Sequence, residues 1–305
     1  MKKIIIDTDI GDDIDDAYAL AVAVGMGCFD ILGVTTVYRN SLQRARIASA
    51  LLHALGTDIG VYAGQNYPWR EKFCVEPFEE VLADGRPVIP HYSPAFDKMP
   101  VQEMPAAQFI ARQAELYPNE ITVLAIGPFT NLGDVAKKYA ASFAKLDRIV
   151  CMGGSFKRDK AEWNIRCDPE AAAAVLAGGV PLQFVGVDVT AYTYLDEEDV
   201  RAVTAGKGEA FSMLTAMLQT WMRTHPGRRP IMHDVLTVAE VERMFCPYRQ
   251  CRLDIPLDGP YRAFTCCTER ADAPIVSYAT GVDRAAFMRF FRRTLEGLQT
   301  QKTMV

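Results

Sequence analysis

The chain has 305 residues, of which 50% are apolar and 23% charged, and a formal net charge of −5. That balance excludes disordered and fibrous classes and argues against nucleic acid as a partner. No apolar run is long enough to span a bilayer, and the first residues show no cleavable signal pattern, so a cytoplasmic protein with no membrane partner is expected.

Short β-branched and apolar runs alternate with helical patterns. Strands are predicted over 3–6 and 31–37, then a helix over 40–55 that ends at Gly56 and a short strand over 59–62. A helix over 101–117 is stopped by Pro118, and a strand over 121–126 is followed by a helix over 129–144. A strand over 148–152 closes at Gly153-Gly154, and the helix predicted over 168–176 carries Pro169 in its first turn. A further strand over 182–187 and a helical pattern over 210–223 complete the readable part. The last sixty or so residues give no usable pattern. No linker divides the chain, so it reads as one α/β domain over 1–305 with a mainly parallel, Rossmann-like central sheet flanked by helices. Such sheets bind ligands beyond the carboxyl ends of their strands.

Eight cysteines form no Cys-x-x-Cys pair, which argues against a zinc ribbon and for reduced thiols. Cys28 and Cys151 lie in apolar runs and read as core residues, and the vicinal pair Cys266-Cys267 reads as structural.

The segment Asp7-Thr8-Asp9-Ile10-Gly11-Asp12-Asp13-Ile14-Asp15-Asp16 places six carboxylates within ten residues, directly after a strand. Packed together without a cation, they raise one another's pKa. A solvated loop with an Asp helix cap accounts for one or two of them only. An EF-hand fails on spacing, with Tyr18 where the Glu belongs and the Gly misplaced. A magnesium-dependent phosphohydrolase of haloacid-dehalogenase type, with Asp7 as nucleophile and Asp9 as acid, needs later partners. Lys137-Lys138 and Asp168 could be conscripted, but their contexts do not match.

The loop resembles the Asp-x-Asp-x-Gly-x-Asp-Asp-Ala signature of the nucleoside hydrolase family, in a branch with two extra residues. Asp7 and Asp9 align with the first acidic pair and Asp15-Asp16 with the second; Asp12 and Asp13 fall in or beside the insertion without a role. The ungapped register would put Ile14 where a carboxylate is needed. The likeness continues in Thr35-Thr36-Val37-Tyr38-Arg39-Asn40, with Arg39 where the family has Gly. It runs on through Ile126-Gly127-Pro128-Phe129-Thr130-Asn131-Leu132, Met152-Gly153-Gly154, Glu162-Trp163-Asn164 with Asp168-Pro169-Glu170, Gly186-Val187-Asp188-Val189-Thr190 and His233-Asp234-Val235-Leu236.

The resemblance implies calcium-dependent hydrolysis of the N-glycosidic bond of ribonucleosides, through an oxocarbenium-like state, by a homodimer or homotetramer. It implies Ca²⁺ held by Asp9, Asp16, Asp234 and the backbone carbonyl of Ile126, with Asp9 also the general base toward water. Asp15, Asn40, Glu162 and Asn164 are expected at the sugar hydroxyls, and Asp7 in a structural role. His233 is a candidate acid toward the leaving base, and His225 a second residue for touching it. Trp163 is the aromatic expected at the base; Tyr38 and Trp69 are further candidates, and Trp221 reads as core. Where many relatives carry a His after Thr190, this chain reads Ala191-Tyr192-Thr193-Tyr194, which leaves the base open. The phosphohydrolase and a non-catalytic calcium-loaded nucleoside or sugar binder stand as alternatives.

Overall fold

The structure is a computed structural model that describes residues 1–70, 73, 81–157 and 160–301. Nine strands form one sheet: β1 Lys2–Thr8, β2 Phe29–Thr36, β3 Val61–Ala63, β4 Ile121–Ala125, β5 Arg148–Met152, β6 Leu182–Val185, β7 Tyr248–Asp254, β8 Cys266–Thr268 and β9 Ile275–Ala279. Their order across the sheet is β3-β2-β1-β4-β5-β6-β9-β7-β8. All neighbours from β3 to β9 run parallel, whereas β7 pairs antiparallel with both β9 and β8. The expected mainly parallel sheet flanked by helices is therefore present.

Alternation along the central strands divides the core between the two faces. Ile4, Ile6, Leu124 and Val150 pack into one cluster with the helices Asp15–Gly25, Ser41–Ala54, Glu209–Thr224, His233–Glu240 and Arg284–Gln301. Ile5, Val123, Ala125, Ile149 and Cys151 pack into the other with Ala106–Leu116, Thr130–Lys138 and Pro169–Ala177. A strand buried on both faces cannot show polar alternation, which is why these runs read as continuous apolar stretches.

Several boundaries differ from the sequence reading. The third long helix begins at Ala106, because Met104 precedes Pro105 and a residue before proline is held out of the helical region. The helix expected over 129–144 breaks at Tyr139, where φ −133 and ψ 45 separate Thr130–Lys138 from Ala140–Phe143. β6 stops at Val185, and after Gly186 the chain turns into a one-turn helix, Val187–Thr190. The unread tail supplies β7, β8, β9 and the helix Arg284–Gln301. That helix is tied back by Arg292, whose Nε donates to buried Asp199 at 3.0 Å. Cys28 is exposed rather than in the core: the chain turns at Gly27, with φ 61, before entering β2. Cys151 is buried, and Cys74 lies outside the described residues. Among the described residues, no helix is long and apolar enough to cross a membrane.

Candidate functional site

The order of strands reverses between β1 and β4, with β2 and β3 on one side and β5 and β6 on the other. The loops leaving the two central strands part there and open a crevice, the usual ligand position in an open parallel sheet. A cavity of about 560 Å³ lies at this point, bounded by Asp9 just past β1, Ile126 just past β4 and Met152 at the end of β5. Asp15, Asp16, Glu162, Trp163, Asn164, His233 and Asp234 also line it.

The carboxylates converge because two helices begin here. Asp15 and Asp16 open the helix Asp15–Gly25, and Asp234 stands in the first turn of His233–Glu240. Helix N-termini favour negative charge, so the fold places acids where backbone dipoles help hold them. The Asp15, Asp16 and Asp234 side chains each bring an oxygen within 4.8 Å of the others, and all three are buried. Asp9 faces the same cavity at 8% exposure. Burial pushes Asp9 up to about 6, with Arg44 opposing. Burial also lifts Asp15, Asp16 and Asp234 well above the ordinary carboxylate range, reinforced by Asp13 on Asp15, Asp9 on Asp16, and Asp15 on Asp234. Four buried acids whose ionised forms burial and mutual repulsion disfavour are a set a hard divalent cation can satisfy, since its ligands are oxygens and its charge favours the ionised forms. The residues present thus fit a bound metal.

Asp7 plays a different part. It is fully buried, accepts from Thr35 Oγ1 at 2.6 Å and Asn131 Nδ2 at 2.8 Å, and does not line the cavity. Burial drives its carboxyl up to about 7, and its Oδ2 has no partner. It braces β1 against β2 and the helix Thr130–Lys138.

Asp12 and Arg44 fix the shape of the acidic loop. Arg44 is wholly buried; its Nε donates to the Tyr38 carbonyl at 2.9 Å, and its Nη1 to the carbonyls of Ile10, at 3.0 Å, and of Asp9. Its Nη2 donates to Asp12 Oδ2 at 2.9 Å, and Arg39 Nη1 donates to the same oxygen at 2.9 Å. Burial pushes Asp12 up, but Arg44 and Arg39 together outweigh it and hold the carboxyl below its usual value. The insertion that had no role in the sequence is therefore the anchor of the loop. Arg44 went unread, although one signal was available: it falls in the apolar stripe of its helix, with Ile47, Ala48 and Leu51.

Glu162 and Asn164 are built into the frame. Glu162 caps the short helix Trp163–Cys167, accepting from the amides of Asn164 at 2.9 Å, Gly154 at 3.1 Å and Ile165 at 3.3 Å. Burial raises it to about 7. Asn164 Nδ2 donates to the Met152 carbonyl at 3.1 Å and the Ile126 carbonyl at 3.3 Å, which joins the ends of β4 and β5. Asn40, expected at the sugar, does not line the cavity: its Oδ1 caps Ser41–Ala54 by accepting from Gln43 N at 3.2 Å, and its Nδ2 faces the Pro87 carbonyl at 3.4 Å. Asp168 is likewise a helix cap, accepting from Ala171 N at 3.1 Å.

Of the aromatics, Trp163 lines the cavity at 37% exposure. Tyr38 packs edge-on against Phe73, and Trp69 donates from Nε1 to Asp134 at 3.0 Å; neither reaches the cavity. Trp221 is buried as expected, yet it also lines the cavity, and the ring of His225 stacks on it at 4.6 Å. His233 Nδ1 lies 2.6 Å from Thr190 Oγ1. Burial, with the Lys160 ammonium adding to it, pushes His233 down to about 4, so its ring is neutral at pH 7. Arg39, Lys160, Arg166 and Arg228 line the cavity as well, and sequence reading singled out none of them for it.

Comparison with known proteins agrees with this architecture. The family model described as inosine-uridine preferring nucleoside hydrolase matches residues 4–289. Uridine nucleosidase 1 of Arabidopsis thaliana is 32% identical over 254 residues, covering 79% of this chain and 74% of its own. Probable uridine nucleosidase 2 of the same plant is 31% identical and covers 94% of this chain and 95% of its own. Among solved structures, a purine-preferring ribonucleoside hydrolase from Gardnerella vaginalis superposes with a TM-score of 0.82 at 25% identity, over 98% of this chain and 100% of that one. Neither the phosphohydrolase nor the non-catalytic binder gains support from these comparisons.

Proposed function

From the premise that this chain belongs to the inosine-uridine preferring nucleoside hydrolases and cleaves ribonucleosides at the N-glycosidic bond, we propose that it does so with a calcium ion and with Asp9 as the base toward water. The observation that carries the reading is the buried carboxylate group of Asp15, Asp16 and Asp234, which faces Asp9 at the carboxyl ends of β1 and β4.

In this reading Asp9, Asp16, Asp234 and the carbonyl of Ile126 hold the ion. Their all-oxygen character suits calcium better than a metal that prefers nitrogen or sulfur. When bound, such a cation lowers the pKa of water and supplies positive charge beside the sugar hydroxyls. Asp9 takes the proton from the attacking water. Asp15, Glu162 and Asn164 face the sugar, and their backbone partners lock them in place before it arrives. Trp163 and Trp221 offer flat surfaces to the base. His233, neutral and held by Thr190, orients the leaving base through its free ring nitrogen. Because the chain forms one continuous sheet, we read it as a single domain; we place it in the cytoplasm, and family membership suggests a homodimer or homotetramer.

Free ribose release tests the reading. Uridine, cytidine, inosine, adenosine and nicotinamide riboside are each assayed with calcium and with a chelator, with Asp9→Asn as the blank. Chelator-sensitive release restored by calcium is expected from at least one, with uridine tried first because relatives bear its name. The matching 2′-deoxyriboside is expected to react at least about a hundredfold more slowly, because a site built for hydroxyls is left with unpaired polar groups. Equal rates with chelator present would overturn the metal assignment.

A further inference from the structure

Three buried threonines stand where β1 and β2 end, and their hydroxyls go to different partners. Thr35 Oγ1 donates to Asp7 at 2.6 Å, and Thr36 Oγ1 donates to the Ser41 carbonyl at 2.8 Å. Thr8 Oγ1 donates instead to Asp16 Oδ1, in the first turn of the helix Asp15–Gly25. Of the three, Thr8 alone reaches an acid that lines the cavity. Both partners are shielded from water: Thr8 is fully buried and Asp16 is 3% exposed.

The surroundings fix this bond. The amide of Ile10 donates to Thr8 Oγ1 at 3.1 Å, so the oxygen already accepts there and its single hydrogen meets Asp16. Thr8 pairs with Thr36 in the register of β1 on β2, and its carbonyl accepts from Val37 N at 3.1 Å. A β-branched side chain on a backbone pinned in this way has little freedom about χ1. Asp16 has reason to need such a tie. Asp9 and Asp15 repel its ionised form, which favours turning the carboxylate away from the cluster. The bond to Oδ1 opposes that turn. It keeps Asp16 beside Asp15 and Asp234, with one oxygen of each within 4.8 Å of the others.

We propose that Thr8 is a positioning residue for the metal: its hydroxyl holds the Asp16 carboxylate in the orientation a divalent cation requires before the cation arrives. The inference rests on the calcium reading and adds to it a residue outside the ligand set. Outer hydrogen bonds aim the groups that bind a metal, and losing one typically costs about tenfold to a hundredfold in affinity.

Calorimetric titration of chelator-stripped wild type, Thr8→Val and Thr8→Ser with calcium tests this. Thr8→Val keeps the branched shape and deletes the hydroxyl, so it is expected to raise the calcium Kd by about tenfold to a hundredfold. Thr8→Ser keeps the hydroxyl and is expected to stay within about threefold of wild type. The calcium concentration for half-maximal nucleoside cleavage should rise in Thr8→Val in the same proportion as Kd. Thermal melts of the metal-free variants separate aim from folding, because Thr8→Val also strands the Ile10 amide. A lower melting temperature with an unchanged calcium Kd would make Thr8 a structural residue and overturn the proposal. A Thr8→Ser variant as weak as Thr8→Val would do the same, since the loss would then belong to the methyl group. If Thr8→Val does not fold, Thr8→Ala replaces it and is read against Thr8→Ser in the same way. A wild type that binds no calcium would overturn the calcium reading, and this inference with it. Wild type and Thr8→Val binding calcium equally would overturn this inference alone.

Discussion

The backbone amide of Asp234 donates to the carboxylate of Asp15 at 3.2 Å, which joins the first turns of two helices from opposite ends of the chain. The link holds these first turns side by side, and the carboxylates of Asp15, Asp16 and Asp234 lie close together there. Asp9 lies at about 6, Glu162 at about 7, and Asp15, Asp16 and Asp234 well above the ordinary range, with burial the main cause in each. A carboxyl whose folded pKa is raised contributes stability below its ordinary value near 4, and that contribution is lost as pH rises through the folded pKa. The metal-free protein is thus expected to be more stable near pH 5 than near pH 8. Calcium favours the ionised acids, so it is expected to raise the melting temperature more at pH 8 than at pH 5; at pH 8 a hundredfold excess over Kd should add about 3 kcal/mol of stability. Thermal melts of chelated and calcium-loaded protein at both pH values check this. A calcium effect that is absent at pH 8, or larger at pH 5, would count against the metal site.

Arg44 is expected to be a stability residue. Its guanidinium satisfies Asp12 and the carbonyls of Asp9, Ile10 and Tyr38 from a fully buried position. Replacing it with methionine keeps much of the volume and strands those acceptors, at a cost of about 3–5 kcal/mol. Urea unfolding gives the number. Asp12→Asn in the Arg44→Met background should recover part of the loss, because it removes a partly buried charge that Arg39 alone would then have to balance. A loss below about 1 kcal/mol for Arg44→Met would mean that the loop holds its shape without it.

The sheet was legible because its central strands are short apolar runs between helical patterns, and the acidic loop because six carboxylates in ten residues have few uses. The tail was not legible because β7 is an antiparallel strand with exposed and half-buried positions, Arg249, Gln250 and Arg252 among them, so it lacks the apolar run that marked the others. Asn40 shows what coordinates add to a motif: the motif locates the residue, and the structure shows its side chain capping the next helix. Trp221 shows the reverse. Helical periodicity placed it in the core correctly, yet one edge of the core is the cavity wall. Arg39 is visible in the sequence as a departure from the motif, but its contact with Asp12 joins two segments that spacing alone does not bring together.

Asp7 and Asp9 are two residues apart and are expected to separate cleanly in mutagenesis. Asp9 faces the cavity, whereas Asp7 accepts from Thr35 and Asn131 behind the sheet end. Asp9→Asn removes the proposed base and is expected to lower kcat by about a thousandfold or more. Asp7→Asn keeps an oxygen for both donors and resembles the protonated acid, so its loss in kcat is expected to stay below about tenfold, with most of the change in stability. Steady-state kinetics on one nucleoside with both variants decides it. A loss for Asp7→Asn as large as that for Asp9→Asn would put Asp7 in the chemistry.

The shape of the pH profile distinguishes the ways in which the leaving base can be helped. A general acid works only while protonated, so an imidazolium at His233, with the ring pushed down to about 4, would make kcat fall from pH 5 upward. A general base works only when ionised. With Asp9 at about 6 before any cation lowers it, kcat should rise with pH up to or below that value and then stay level to pH 8. The rising profile is expected. His233→Gln retains a hydrogen-bonding group toward Thr190 and should lower kcat by about tenfold to a hundredfold without moving the acid limb, because that limb belongs to the carboxylates. Profiles of kcat from pH 5 to 8 for the wild type and His233→Gln make the comparison. A wild-type profile that declines between pH 6 and 8, with the decline abolished in His233→Gln, would restore the imidazolium as the acid and require a neighbouring charge that lifts it in the substrate complex.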